Sequence, residues 1–444
     1  MNIAIIGSGI SGLSCALRLA QQGRHQVTLI ESGTYLGGHT NTIDVTVDGI
    51  THAVDTGFLV FNERTYPNLI ALFEELAVPT AKSEMSFSVS LGGQIEWAGT
   101  SLASVFAQKS NLMRPRFLAM LRDILRFNRA ATAAVANGGA ADIPLGEYLT
   151  GHHYSTSFRD WYLLPMAGAI WSCPTATMLA YPFSTFARFC HNHGLLQVAN
   201  RPQWYTVAGG ARQYVQRISD ELARHGASVR VNNRVRRVRR TPLGALVDIE
   251  TNGHVHTERF DQIVLACHSD QSLALLADAS DEERQVLGAV RYQPNTAWLH
   301  TDTAQLPQRR ATWAAWNYLS SGPDTLGPRD VAVTYLLNLL QPLPFTTPVM
   351  VTLNPLATPA PQHVIRQIDY AHPVFDQAAI AAQQRLPALQ GTHRTWFAGA
   401  WTGYGFHEDG LKSGLAVATA LNRLGDTAQA AMQATAPALL RVAA

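Results

Sequence analysis

Lysine is nearly missing from this chain of 444 residues: Lys82, Lys109 and Lys412 are its only three, and arginine supplies the rest of its 34 basic side chains. Charge of either sign is scarce, at 15% of residues against the roughly 25% of an average soluble domain. With a net charge of +2 the chain has no polyelectrolyte field to hold nucleic acid, so a nucleic-acid binder is disfavoured. Cysteine is equally sparse. Cys15, Cys173, Cys190 and Cys267 stand far apart with no CxxC pair. That argues against a thiol redox couple, a zinc ribbon or a disulfide framework, and fits a reducing cytoplasm. No uncharged apolar run reaches about 18 residues, so no transmembrane helix is expected. Met1 to Gly7 runs straight into a strand and a glycine turn, so no secretory signal is expected either. Any membrane contact would be peripheral, on the inner face.

What is there begins at the first residues. Ile3 to Ile6 form a short continuous apolar run, as a strand buried on both faces requires. The turn Gly7-Ser8-Gly9-Ile10-Ser11-Gly12 follows, with GxGxxG spacing. Leu13, Ala16, Leu17 and Ala20 then repeat at helical spacing, and Gly23 can close the helix as a left-handed cap. Val27 to Ile30 reads as a second strand with Glu31 at its end. In this strand-helix-strand setting Gly7 makes the tight turn, Gly9 lets a pyrophosphate approach the backbone, and Gly12 lets helix and strand pack closely. The helix start at Ile10 and Ser11 offers unpaired N–H groups to phosphates, and Glu31, with Ser32 beside it, can hold a ribose diol. A carboxylate there repels a 2′-phosphate, which disfavours NADP. Gly37-Gly38-His39-Thr40 adds a second glycine pair and groups able to contact phosphate or ribityl oxygens, which points to FAD.

The segment from Gly7 to Thr40 resembles the N-terminal signature of the flavin amine oxidase, protoporphyrinogen oxidase and phytoene desaturase superfamily. Relatives usually carry arginine after the glycine pair; here His39 stands in that place. Val54-Asp55-Thr56-Gly57-Phe58 and the helix around Leu69, Leu72 and Leu76 are similar to the family's next block. The resemblance implies that Gly57 and Phe58 neighbour the flavin ring, and that Val235 offers its backbone N–H and C=O to the adenine. Ile263 to Ala266 reads as a buried strand whose end should lie near the dinucleotide. Trp396-Phe397-Ala398-Gly399-Ala400 and the run from Gly403 to Gly410 resemble the C-terminal motif, which delivers backbone N–H groups to the flavin's pyrimidine edge. Gly399, His407, Glu408 and Asp409 are its candidates here. Many relatives place an acidic residue after the FAG triplet, where this chain has Ala400.

The expected fold is therefore α/β, with a discontinuous Rossmann-like FAD-binding domain from residues 1–80, 206–290 and 391–425. A mixed α+β substrate domain of amine-oxidase type would come from residues 81–205 and 291–390, and residues 426–444 would form a tail. Leu246 to Glu250 and His254 to Arg259 flank Asn252-Gly253, a hairpin signal of type I′. The run Arg234, Arg236, Arg237, Arg239 and Arg240 reads as a solvated strand face, since no aromatic platform interleaves with it.

With no second GxGxxG, a reductase drawing on NADPH through a further nucleotide domain is not expected. Related amine oxidases place a lysine in a strand after the second cofactor block, yet Tyr292 to Trp298 has none. Trp161, Tyr162, Met166, Trp171, Met178, Trp204, Tyr205, Trp298, Trp313, Trp316 and Tyr318 instead supply either a core or an apolar tunnel. Leu112 to Arg129 reads as a basic amphipathic helix, which suits an anionic membrane surface or a surface helix packed on its own domain. The segments Gly37 to Thr42, Asp55 to Asn62, Asn192 to Leu196 with Arg201 to Trp204, and Gly403 to Gly410 resemble most closely a bacterial branch of NAD/FAD-binding proteins. Its members often accompany enzymes that modify membrane acyl chains. The resemblance implies an FAD-dependent oxidoreductase that dehydrogenates an apolar substrate such as a fatty acyl chain by hydride transfer to flavin N5. His407 leads as the base, with Tyr404 and His193 behind it, and no metal site is expected. A redox-neutral acyl isomerase, an amine oxidase and a non-catalytic flavoprotein partner of a lipid-modifying enzyme remain the alternatives.

Overall fold

Strand Asn2–Ile6 sits at the centre of a five-stranded parallel sheet with the order Ser228–Arg230, Gln26–Ile30, Asn2–Ile6, Gln262–Leu265, Thr395–Phe397. This computed structural model describes residues 1–138, 143–171, 178–197, 201–322 and 331–439. Cys173, and the side chains of Trp171 and of everything beyond residue 427, lie outside the described residues. The alternation of a strand decides what each face of the sheet meets. Ile3 and Ile5 join a core with Leu13 and Leu17 of helix Ile10–Gln21 and Ile218 of helix Arg212–Arg224. Ala4 and Ile6 join a second core with Val235, Val247 and Phe260 of the antiparallel strands Asn233–Thr241, Gly244–Thr251 and His254–Phe260. Asn252 and Gly253 both take positive φ between the last two of these strands, as a type I′ turn requires.

Helix Ile10–Gln21 lies directly on helix His407–Leu439, which also takes up the alanine-rich tail as far as Leu439. The approach leaves no room for side chains at two glycines. A Cβ on Gly12 would stand 1.9 Å from the carbonyl oxygen of Gly7, and one on Gly414 would stand 2.2 Å from that of Ser11.

A seven-stranded sheet forms the other half, in the order Val364–Val374, Arg291–His300, Met350–Leu353, Val331–Leu336, Trp316–Ser320, Phe87–Leu91, Ile95–Ala98. Only the pairing of Trp316–Ser320 with Phe87–Leu91 is parallel. A helical layer including Pro115–Ala136 and Phe183–Asn192 packs around Phe127, Phe158, Phe183 and Phe186. Helix Gln377–Arg385 departs from the sequence boundaries. Ala379, Ala382, Leu386 and Leu389 recur on one helical face and pack with Val286 and Phe260 on the dinucleotide side.

The arginine run is also more varied than a solvated face. Arg236 and Arg239 do pair with Glu250 and Asp248 across the exposed surface, and Arg234 borders the cavity described below. The Arg240 side chain is only 4% exposed and joins Asp278 and the 1% exposed Glu283. Removing one partner of a buried pair strands the other charge in a poor dielectric. Arg240→Met should therefore lower stability by about 3–5 kcal/mol, read as a shifted urea midpoint, whereas Arg236→Met should change it by less than about 1 kcal/mol.

Candidate active site

A continuous cavity of about 1250 Å³ runs from the C-terminal ends of the parallel strands to the seven-stranded sheet. At one end it is lined by Gly7, Gly9, Ile10, Ser11, Glu31 and Ser32, and further along by Gly37, Gly38, His39, Gly57, Phe58, Val235, Ala266, Gly399 and His407. These residues come from all three sequence blocks. Gly12 lies just behind, in the helix packing.

The cavity fits a dinucleotide on two local grounds. A Cβ on Gly9 would meet nothing within 4 Å, so the backbone there faces open space. The helix it begins has no side-chain cap and no acidic residue in its first turn, so its N–H groups and positive end remain available to an anion. Glu31 does two things at once. One carboxylate oxygen accepts from the Ser8 N–H at 2.9 Å and the Ser8 hydroxyl at 2.6 Å, and the other accepts from Gly33 N–H at 2.7 Å. It thus braces the glycine loop while keeping lone pairs for a ribose diol. Val235 lies in Asn233–Thr241, an edge strand of its sheet, where backbone groups can serve an adenine.

His39 is partly buried, at the wall of the cavity. Its ring stacks on Tyr370 with centroids 5.1 Å apart and lies 5.5 Å from His372 and 6.2 Å from His268. Burial pushes His39 down to about 3 and His372 to about 4, so both are neutral at physiological pH. His39 Nε2 is buried without a hydrogen-bond partner, the kind of atom that a bound polar group would satisfy. Sequence reasoning passed over His268 and His372. His268 could have been found from its place just past strand Gln262–Leu265, whereas nothing local marks His372.

Three of the expected contact residues have their side chains engaged within the protein. Thr40 does not border the cavity: its Oγ1 lies 2.5 Å from the Tyr214 hydroxyl. Glu408 gives its carboxylate to the N–H groups of Asn68 and Leu69, both at 3.0 Å, and so caps helix Pro67–Glu75. Asp409 accepts from the Phe406 N–H at 3.0 Å, which shapes the loop before its own helix, and burial raises it to about 6.

His407 stacks on Phe58, with centroids 3.9 Å apart, and its Nε2 lies 2.7 Å from the Tyr214 hydroxyl. Burial pushes it down to about 3. With its Nε2 engaged by Tyr214, the ring makes a poor proton acceptor and a good support for Phe58. His193 is arranged in the opposite way. Its Nδ1 donates to the Phe189 carbonyl at 3.0 Å, which leaves Nε2 as the bare nitrogen of the neutral ring. His193, Tyr404, Phe189 and Phe406 meet around one end of the cavity.

The tunnel residues divide. Tyr162, Met166, Trp204 and Trp316 line the cavity, while Trp161, Met178 and Tyr318 are buried in cores without bordering it. Tyr205, Trp298 and Trp313 do not border it either. Among the described residues no lysine lines the cavity.

A family model described as flavin containing amine oxidoreductase matches residues 10–339. A Mycobacterium tuberculosis protein named as a flavin-containing monoamine oxidase is 27% identical over 256 residues, 56% of this chain and 53% of its own. The chain thus spans about half the length of that relative. A 4,4′-diapophytoene desaturase of Staphylococcus aureus is 47% identical over 51 residues, 12% of this chain and 10% of its own. Among solved structures, the CLA-producing fatty acid isomerase from P. acnes shares the fold, with a TM-score of 0.64 at 14% identity over 94% of this chain and 97% of its own.

Glu31→Ala should release the Ser8 and Gly33 groups and remove a ribose acceptor together. Titration of the apoprotein with FAD, followed by flavin fluorescence, should show affinity reduced about 10- to 100-fold, since each hydrogen bond to a charged group contributes about 1.5–3 kcal/mol.

Proposed function

The chain belongs to the flavin-containing amine oxidoreductase family, in which FAD is the typical cofactor, and within it we propose a dehydrogenase of apolar substrates, with a fatty acyl chain as the substrate class. The observation that carries this reading is the cavity itself. The nucleotide groove opens without a break into a chamber walled by Tyr162, Met166, Ile170, Trp204, Trp316 and Phe189. Such a wall favours an extended apolar ligand through area removed from water. Amines lose support because no lysine among the described residues borders the chamber. The names of two similar proteins, a desaturase of a polyene and an isomerase of a fatty acid, fit the same substrate class.

Bound FAD supplies hydride acceptance from an activated carbon. The chain's own residues do the remainder. Phe58, backed by His407 and Tyr214, fixes the ring-side wall where Gly57 turns the chain. His193 Nε2 takes the accompanying proton, its tautomer set by the Phe189 carbonyl. Arg201, at the His193 end because Pro202 lies against Gly194, can pair with an acidic head group. The aromatic wall excludes water from the reacting carbon.

The test is anaerobic mixing of the holoprotein with dispersed unsaturated fatty acids. Bleaching of flavin absorbance with formation of a further double bond is expected. An isomer formed without bleaching would replace dehydrogenation by isomerisation, and no change with any lipid would leave a non-catalytic flavoprotein. His193→Gln should slow bleaching about 10²- to 10⁴-fold, whereas His407→Asn should act mainly by loosening FAD. Burial lowers His193 to about 4, so the base form is present throughout neutral pH. The rate should therefore be flat from pH 6 to 9 and fall only as the pH drops through about 4.

A further inference from the structure

We propose that the face formed by Leu102, Leu112, Met113, Leu118 and Leu125 docks on an anionic lipid bilayer. Twelve large apolar side chains are exposed among the described residues, and these five fall within a span of 24. Met113 is 88% exposed and Leu102 80%. Scattered exposed leucines need no explanation, but a cluster of this kind does.

Helix Pro115–Ala136 carries two stripes. Phe117, Met120, Phe127 and Ala131 are fully buried and hold it to its own domain. Packing therefore accounts for that apolar face, and the sequence pattern was right about a surface helix. Leu118, Arg122, Leu125 and Arg129 recur at i, i+4, i+7 and i+11 on another face, and all four are exposed. Leu112, Met113 and Leu102, on short helices Lys109–Met113 and Leu102–Val105, extend the apolar surface beyond its N-terminal end. An alternation of leucine and arginine suits the lipid interface, where apolar side chains enter the acyl boundary and guanidinium groups stay among head groups.

Charge identifies the occupant. From residue 100 to 138 there are six basic side chains and a single acid, Asp123. That acid is fully buried, accepts from the Ser155 N–H at 2.9 Å and lies 3.3 Å from Arg122, so this segment exposes no carboxylate of its own. The segment holds a net +5 in a chain whose total is +2. A second copy is a poor occupant, because a two-fold contact would set Arg122 and Arg129 against their own equivalents. An anionic bilayer offers both the opposite charge and the apolar layer. The face also adjoins the cavity: Trp97 and Gly99 line it, and the chain reaches Leu102 three residues later. A lipid substrate could pass from the bilayer into the chamber along this edge.

The holoprotein should be spun down with vesicles of phosphatidylcholine containing about a third phosphatidylglycerol, and with phosphatidylcholine alone. Binding at least tenfold tighter to the anionic vesicles is expected, weakening as salt rises. Met113→Asp with Leu125→Asp should reduce it more than tenfold with the flavin spectrum unchanged. Arg122→Gln with Arg129→Gln should reduce the preference for anionic vesicles. Equal binding to both vesicle types, or full binding by the aspartate variant, would overturn the proposal. So would a dimer in sedimentation velocity that the aspartate variant dissociates, which would assign the face to a second copy. The substrate reading is tested separately. Bleaching by detergent-dispersed fatty acid without vesicle binding would remove only the docking, and vesicle binding without bleaching would remove only the substrate.

Discussion

Backbone rests directly on backbone where helix Ile10–Gln21 begins. Gly12 meets the Gly7 carbonyl and Gly414 meets the Ser11 carbonyl, with no side chain between. This contact fixes the helix start against the central strand and against the C-terminal helix at once. The position of His407, and hence of Phe58 stacked upon it, follows from where that C-terminal helix begins. A spacer of even one methyl group would move the phosphate end of the cavity relative to its ring end.

The other helix starts near the cavity show why this one is special. Glu408 caps helix Pro67–Glu75, and Asp55 accepts from the Ala211 N–H at the start of helix Arg212–Arg224. Asp55 also receives the Thr42 hydroxyl and the Gln341 amide, so one carboxylate joins the paired strands Thr42–Val47 and Ile50–Asp55, helix Arg212–Arg224 and the end of the short helix Leu337–Leu340. Its burial raises it to about 6, so the bonds are needed to keep it charged at neutral pH. Both of these helices have an internal anion. Helix Ile10–Gln21 has none, and its positive end faces the cavity.

Much of this was readable because glycine spacing and strand patterns are local. The first strand, the turn, Glu31 and the Asn252-Gly253 hairpin need only a few neighbouring residues to be recognised. Side-chain direction is not local. His407, Glu408 and Asp409 are consecutive, yet one supports Phe58, one caps a helix 340 residues earlier and one folds its own loop. No pattern in the sequence distinguishes those tasks. The same limit hid the tautomer of His193, which depends on a helical carbonyl four residues back, and the gathering of His39, His268 and His372. Arg240 looked like its neighbours until Glu283 came to meet it.

The parallel sheet has a consequence for biosynthesis. Its first strand needs Gln262–Leu265 on one side, and the cavity wall is unfinished until Gly399 to His407 have been made. At about 5–20 residues per second, the N-terminal glycine turn waits about 20–80 s for that wall. A complete cavity wall for FAD therefore exists only after residues 399–407 have been made.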